Sequence, residues 1–333
     1  MERNYSVDAL KLSFAICIAL GHYGVGKGSG IIVNCFFIMS GFYLVQSYNF
    51  GKYADSFCYL KARISRIYPY YFIALIILIA ALSFQALIKG DGISYLYSTV
   101  TSVLPELMFM QNVGIFKGTI NYPLWQMSTL LVASYILFSL MCINKTLTTN
   151  VLSPLIAIIG GSYFSNAYKT HDPTMWWLIG SSISAPLLRA FTGLCIGIAF
   201  YEFIKCSLDY LEKRSGIITT IASALAILYF GINFYSGNTF QSMLSFILVF
   251  ITLLCKKGAL AFLLNRKSFK HFEKLSLSIY VNHALIINVT NFLIKNRVSD
   301  TVATFLYIIF LLVYSIFFMK VVDYLIIKLA KQN

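Results

Sequence analysis

Apolar runs long enough to cross a bilayer recur from one end of this 333-residue chain to the other, with little polar chain between them. A helix needs about 20 residues to span roughly 30 Å of hydrocarbon. Runs that meet this requirement fall near residues 8–26, 31–49, 68–89, 123–143, 151–168, 183–204, 216–235, 239–256, 275–295 and 302–329. The fifth is short and contains Gly160-Gly161, and the stretch 98–116 is only moderately apolar, as an interfacial or re-entrant piece would be. Hydrophobic residues make up 59% of the chain and charged ones 11%, against about 25% charged in ordinary soluble domains. Twenty-six basic and twelve acidic residues cannot coat a water-facing surface around so much apolar chain. The surplus apolar area must face lipid. The expected fold class is all-α, a polytopic integral membrane bundle of about ten transmembrane helices. Residues 1–333 read as one membrane domain with no separate soluble domain, because the longest polar connection, 90–122, is too short and mixed to fold alone.

Charge placement gives direction. The net charge of +14 is not gathered into a basic domain, and no zinc-finger, RNA-binding or helix-turn-helix signature accompanies it. Nucleic acid is therefore not an expected partner. With the N-terminus inside, the cytoplasmic loops hold fourteen Lys and Arg, from Lys52, Lys61, Arg63 and Arg66 to Lys267, Lys270 and Lys274. The outer loops hold six: Lys27, Lys89, Lys117, Lys169, Lys295 and Arg297. Arg3, Lys328 and Lys331 also fall inside, so the expected orientation is N-in, C-in. The first apolar run reads as a retained helix rather than a cleaved signal. Seven scattered cysteines without a CxxC pair read as buried thiols rather than disulfides or a metal site.

Ionisable groups within such a bundle are costly and mark a functional interior by default. His22 lies fourteen residues beyond Asp8, about 21 Å along a helix, and the plain alternative is an interfacial histidine. Asp8 and Lys11 are spaced for an ion pair at the inner end of the first helix, where anchoring explains them equally well. Arg63 and Arg66 put two guanidinium groups on one face just before the third helix. Their planar donors suit phosphate, and snorkelling to lipid headgroups is the competing reading. His283 falls in the ninth helix with Tyr280 on its face, and Arg189 opens the sixth without an obvious local partner. Ser40-Gly41 reads as a close-packing pair and Trp125 as an interface anchor. A neutral imidazole can take a proton from a hydroxyl at neutral pH, as acyl transfer to an alcohol requires. The same groups would suit a transporter that relays protons and meets an anion. On residue chemistry alone, enzyme and transporter stand level.

The ordered motifs resemble the membrane-bound family-3 acyltransferases, which include many bacterial O-acetyltransferases of surface polysaccharides. Asp8-Ala9-Leu10-Lys11 followed by His22 is similar to the family's Asp-x-x-Arg opening and its histidine. Phe36 to Phe42 resembles the aromatic Ser-Gly stretch, Arg63 to Pro69 the basic pair running into Tyr-Pro, and Arg189 to Gly193 the later Arg…Gly stretch. Leu275 to His283 resembles the Leu-Ser-x-x-x-Tyr-Leu-x-His signature. Two positions depart from the pattern. Lys11 replaces the usual arginine, and Leu130 stands five residues after Trp125 where many members have glutamate.

The resemblance implies transfer of an acyl group, acetyl by analogy, from cytoplasmic acyl-CoA. The acceptor would be a hydroxyl of a surface polysaccharide or lipid-linked saccharide, and the setting the plasma or inner membrane. It makes His22, His283, Tyr280 and Asp8 the candidate catalytic set. Arg63, Arg66, Lys11, Ser40 and Arg189 become the candidate donor-binding set. His22 would be the general base, His283 its orienting or proton-shuttling partner, and Tyr280 or Ser40 donors to the thioester oxygen. No metal and no permanently bound cofactor is implied; acyl-CoA is a substrate. A flippase for a lipid-linked saccharide or small anion, and a non-catalytic subunit of a polysaccharide machine, are the alternatives.

Overall fold

In the computed structural model the described residues are 3–26, 28–114, 120–167, 178–179, 183–237, 239–294 and 297–330. Lys27, Lys117, Lys169, Lys295 and Lys331, used above to orient the chain, lie outside them. Among the described residues the regular structure is helical apart from a two-residue antiparallel ladder, Leu178–Ile179 with Ile183–Ser184. Its helices are α1 (Tyr5–Tyr23), α2 (Ser29–Asn49), α3 (Ser56–Lys89), α4 (Gly92–Leu107), α5 (Trp125–Leu147), α6 (Ser153–Ala167) and α7 (Ala185–Ala199). They continue with α8 (Tyr201–Glu212), α9 (Gly216–Ser236), α10 (Thr239–Leu254), α11 (Gly258–Leu264), α12 (Phe272–Leu293) and α13 (Asp300–Ala330).

Local chemistry sets the ends. The Asn4 side chain accepts from the Ser6 N–H at 3.0 Å to open α1, and Gly24, at φ +94°, closes it in the left-handed region. Asp55 caps α3 by accepting from the Cys58 N–H at 2.7 Å. That cap starts α3 twelve residues ahead of the apolar run at 68–89, so Arg63 and Arg66 lie within the helix rather than before it. The sixth expected span also differs. Its first residues, Ile183 and Ser184, belong to the short ladder, and α7 begins only after the Ser184 cap, with Pro186 in its first turn. At Phe200 the chain bends 46° into α8. A 70° bend at Lys257-Gly258 likewise separates α10 from the short α11. The run from Tyr122 to Asn166 counts 45 residues, about 68 Å if straight. It is broken at Asn144, whose φ −152°, ψ 97° is not helical, and both arms contact α7.

Burial is that of a membrane bundle. The centre is α2, wrapped by α7, α5 and α10, with Phe37, Ile38, Phe42, Phe138, Phe246 and Phe250 in one apolar core. Helices α9 and α13 turn Ile217, Leu225, Leu228, Phe305, Val313 and Phe317 outward, the reverse of a soluble surface. Five helices are long and apolar enough to cross a membrane, or up to seven if each bent pair is one span. This is a multi-pass, all-α membrane protein. Among the described residues α1 and α12, which carry charged and imidazole groups, stand outside that count. The same lipid setting corrects the reading of the thiols. Cys35, Cys195 and Cys255 are buried, but Cys17, Cys58, Cys142 and Cys206 are exposed; for Cys17 and Cys142, on the apolar helices α1 and α5, a lipid-facing position is as apolar as a core.

The tightest seam joins α2 to α7. A Cβ on Gly41 would collide with the Leu194 carbonyl, and one on Gly197 with the Ile38 carbonyl. Ser40-Gly41 is thus a backbone-approach pair, as expected of small residues between membrane helices.

Candidate active site

Two polar centres lie at different depths of one helix pair. Helices α1 and α12 are in contact, and Lys11 meets Glu273 at one end while His22 meets His283 at the other. The two helices therefore run parallel. Lys11 and His22 are eleven residues apart, about 16 Å along the axis. The interval is filled by an apolar cluster that includes Ala15, Ala19, Leu78, Ile279 and Tyr307.

At the histidine end, His22 Nδ1 is 2.8 Å from His283 Nε2, and the rings stack with centroids 5.0 Å apart. His283 is fully buried, and its Nδ1 lies 2.8 Å from the Tyr280 carbonyl. A carbonyl only accepts, so His283 Nδ1 carries the proton and donates. In a neutral ring Nε2 is then an acceptor, which obliges His22 to donate from Nδ1. The His22 lone pair is thereby fixed on Nε2. A general base needs that tautomer, and the backbone of α12 sets it through an intermediate imidazole. The Tyr122 ring meets His22 edge-on at 5.4 Å.

Tyr122 belongs to a strap, residues 120–124, that leads into α5. The Tyr280 hydroxyl donates to the Pro123 carbonyl at 2.5 Å, and the Asn121 amide donates to the Val281 carbonyl at 3.0 Å. Glu106, at the end of α4 and fully buried, accepts from the backbone N–H groups of Ile120 and Asn121. Burial pushes its carboxyl up to about 7, so a neutral amide is a near equivalent. Glu106→Ala strands buried donors and should cost about 1–3 kcal/mol of stability, read as a lower Tm in detergent. Glu106→Gln should cost far less; equal losses would mean that the negative charge itself is required. Sequence reasoning misses Glu106 because a carboxylate that serves backbone N–H groups has no motif. Its one signal is isolation, as the only acid between Asp91 and Asp172.

The other centre is ionic. Asp8 does not pair with Lys11 as their spacing suggests: it takes the Arg3 guanidinium at 2.8 Å, and Lys11 turns to Glu273 at 3.4 Å. A three-dimensional partner wins over the i,i+3 neighbour. Glu273 also receives Arg66 and, at 3.2 Å, Arg3. Arg63 is half-buried, donates to the Tyr59 hydroxyl at 3.1 Å and lies over that ring. Sequence reasoning misses Glu273 too, although an acid within the basic stretch Lys267 to Lys274 is visible there.

The two remaining candidates, Arg189 and Ser40, belong to α7 and α2. Arg189 is buried on α7, donates to Asn34 Oδ1 at 2.6 Å and to the Gly30 carbonyl, and lies over the Trp125 ring at 5.5 Å. Trp125 is thus a buried platform rather than an interface anchor. Ser40 is half-buried on α2 and, among the described residues, makes no hydrogen bond to either centre. An apolar cleft of about 620 Å3 lies apart, between α8, α9 and α10, lined by Phe203, Tyr210, Leu225 and Tyr229 among others.

Residues 4–322 match the family described as the Acyltransferase domain. The chain belongs to that acyltransferase family. No curated protein and no solved structure matches it. Within this membrane acyltransferase the matched region takes in both centres, from Arg66, Lys11 and Glu273 to His22 and His283. Family membership brings acyl transfer at a membrane; the donor, the acceptor and the roles of individual residues are a separate matter.

Proposed function

We propose that this protein is an O-acyltransferase that moves an acyl group, acetyl in the first instance, from cytoplasmic acyl-CoA to a hydroxyl of a surface polysaccharide or lipid-linked saccharide. The observation that carries the reading is one helix pair that holds a cation cluster at one depth and an oriented imidazole at another. Arg63, Arg66 and Lys11 meet the donor's phosphates. The pantetheine arm, about 15–20 Å by chain geometry, matches the separation of about 16 Å between Lys11 and His22. Its passage requires the apolar interval around Ala15, Ala19 and Ile279 to part.

In the transfer step the acceptor oxygen forms a bond to the thioester carbon as His22 Nε2 takes its proton. The carbonyl oxygen gains negative charge, the C–S bond breaks as the intermediate collapses, and the proton passes from His22 to the departing thiolate. Because the Tyr280 hydroxyl is engaged by Pro123, Tyr280 acts as a positioning residue through its hydroxyl and its carbonyl. Asp8 and Arg3 brace the inner end of α1. Arg189 and Ser40, assigned to donor binding on resemblance alone, support α2 and α7 rather than touch CoA.

The chain acts as one membrane domain of about ten spans, N-in and C-in, in the plasma or inner membrane. Parallel α1 and α12 support this reading, since an odd number of crossings must separate them. They are the first and ninth spans of the ten-span arrangement.

The test is thiol release from acetyl-CoA by purified protein, together with mass analysis of the host's surface polysaccharide with and without the gene. CoA release together with a lost acetyl group on gene removal is expected. Saccharide movement into vesicles without CoA consumption would make the protein a transporter instead.

A further inference from the structure

Glu273 begins α12 at the ionic centre, with its side chain about one quarter exposed (26%). Cations from three parts of the chain converge on it: Arg66 from α3 and Lys11 from α1 on Oε1, and Arg3 from the segment before α1 on Oε2. Lys11 and Arg66 thus share one carboxylate oxygen. Arg3 is further tied to Asp8 at 2.8 Å and to the Lys270 carbonyl at 3.0 Å. With Arg63 nearby on α3, four cations face two carboxylates, and the centre keeps a positive surplus. Arg63 itself donates to the Tyr59 hydroxyl and lies over that ring.

A carboxylate that gathers cations on two of its oxygens has the donor-accepting pattern of a phosphate edge. Two consequences follow for an incoming phosphate. The cations are already oriented toward a shared anionic point, so little side-chain freedom remains to be lost on binding. They are also partly neutralised, so the phosphate must displace Glu273 or share with it.

We propose that Glu273 is an internal stand-in for the donor's phosphate. It holds Lys11 and Arg66 in place when the site is empty and lowers affinity for CoA when the site fills. This rests on the reading that Arg63, Arg66 and Lys11 take those phosphates. Free CoA carries the same phosphates as acyl-CoA, so re-formation of the Glu273 pairs also drives product release. Glu273 is therefore an affinity-setting residue, and its removal should tighten binding, the opposite of the usual effect of mutating a site.

The test measures binding of CoA and of adenosine 3′,5′-bisphosphate to wild type, Glu273→Gln and Arg63→Ala/Arg66→Ala in detergent over a range of salt. Glu273→Gln should bind both ligands about five- to tenfold more tightly at low salt, with a steeper loss as salt rises. Phosphate-free pantetheine should bind the two proteins equally. Unchanged or weaker CoA binding by Glu273→Gln, with the arginine variant still impaired, would overturn the stand-in role and leave the donor site standing. No CoA binding by any protein, wild type included, would instead remove the donor reading beneath it. A second readout uses wild type alone: CoA should raise amide exchange over residues 3–8 as Arg3 loses its Glu273 contact. CoA that binds without changing exchange there would also overturn the proposal.

Discussion

Replacing His22 by alanine should lower the rate of acyl transfer by about 10²–10⁴-fold, the usual worth of a positioned general base, while the protein stays folded in detergent. The loss should appear in kcat at saturating acetyl-CoA, with donor affinity little changed, because Lys11 lies eleven residues from His22 along α1 and the two arginines lie on α3. His283 holds the His22 ring through Nε2, so under the proposed mechanism the rate of His283→Leu should fall steeply as well. His283→Gln should recover part of the rate, since the amide oxygen can accept from His22 Nδ1–H and hold the tautomer. The double variant should be no worse than His22→Ala alone, as expected of groups that act as a unit. Full acetylation of the host glycan by His22→Ala would remove the base assignment.

The second large effect concerns the donor. Arg63→Ala with Arg66→Ala should weaken CoA binding by about 10- to 100-fold, from the loss of charge-assisted hydrogen bonds. The two contributions should be unequal. Arg63 is half-buried against Tyr59, and among the described residues no carboxylate pairs with it directly. Arg66 is more than half exposed and already shared with Glu273, so its single variant should cost less. Added salt should weaken the wild type more than the double variant. Calorimetric titration with CoA reads all three; unchanged affinity in the double variant would exclude these residues from the donor site.

The helices are legible in the sequence because lipid imposes a length and an apolar composition that few other solvents demand. Where the chain leaves hydrocarbon, that signal stops. The first turns of α3 are polar enough to read as a loop, and only the Asp55 cap explains why they are helical. The motif residues are legible one by one, but their partnerships are not. His22 and His283 are 261 residues apart in sequence, and no spacing rule links them. Asp8 and Lys11 show the opposite error: their spacing suggests a pair, yet Arg3 and Glu273 offer better ones. Glu106 and the Pro123 carbonyl, which fix the strap over His22, use backbone groups that every residue possesses. Sequence does not reveal which of those will be used.

The parallel seating of α1 on α12 means that the working centre is split across the gene. During synthesis α1, with His22 and Lys11, is made long before α12 supplies His283 and Glu273. The His22–His283 and Lys11–Glu273 contacts can form only once α12 docks on α1.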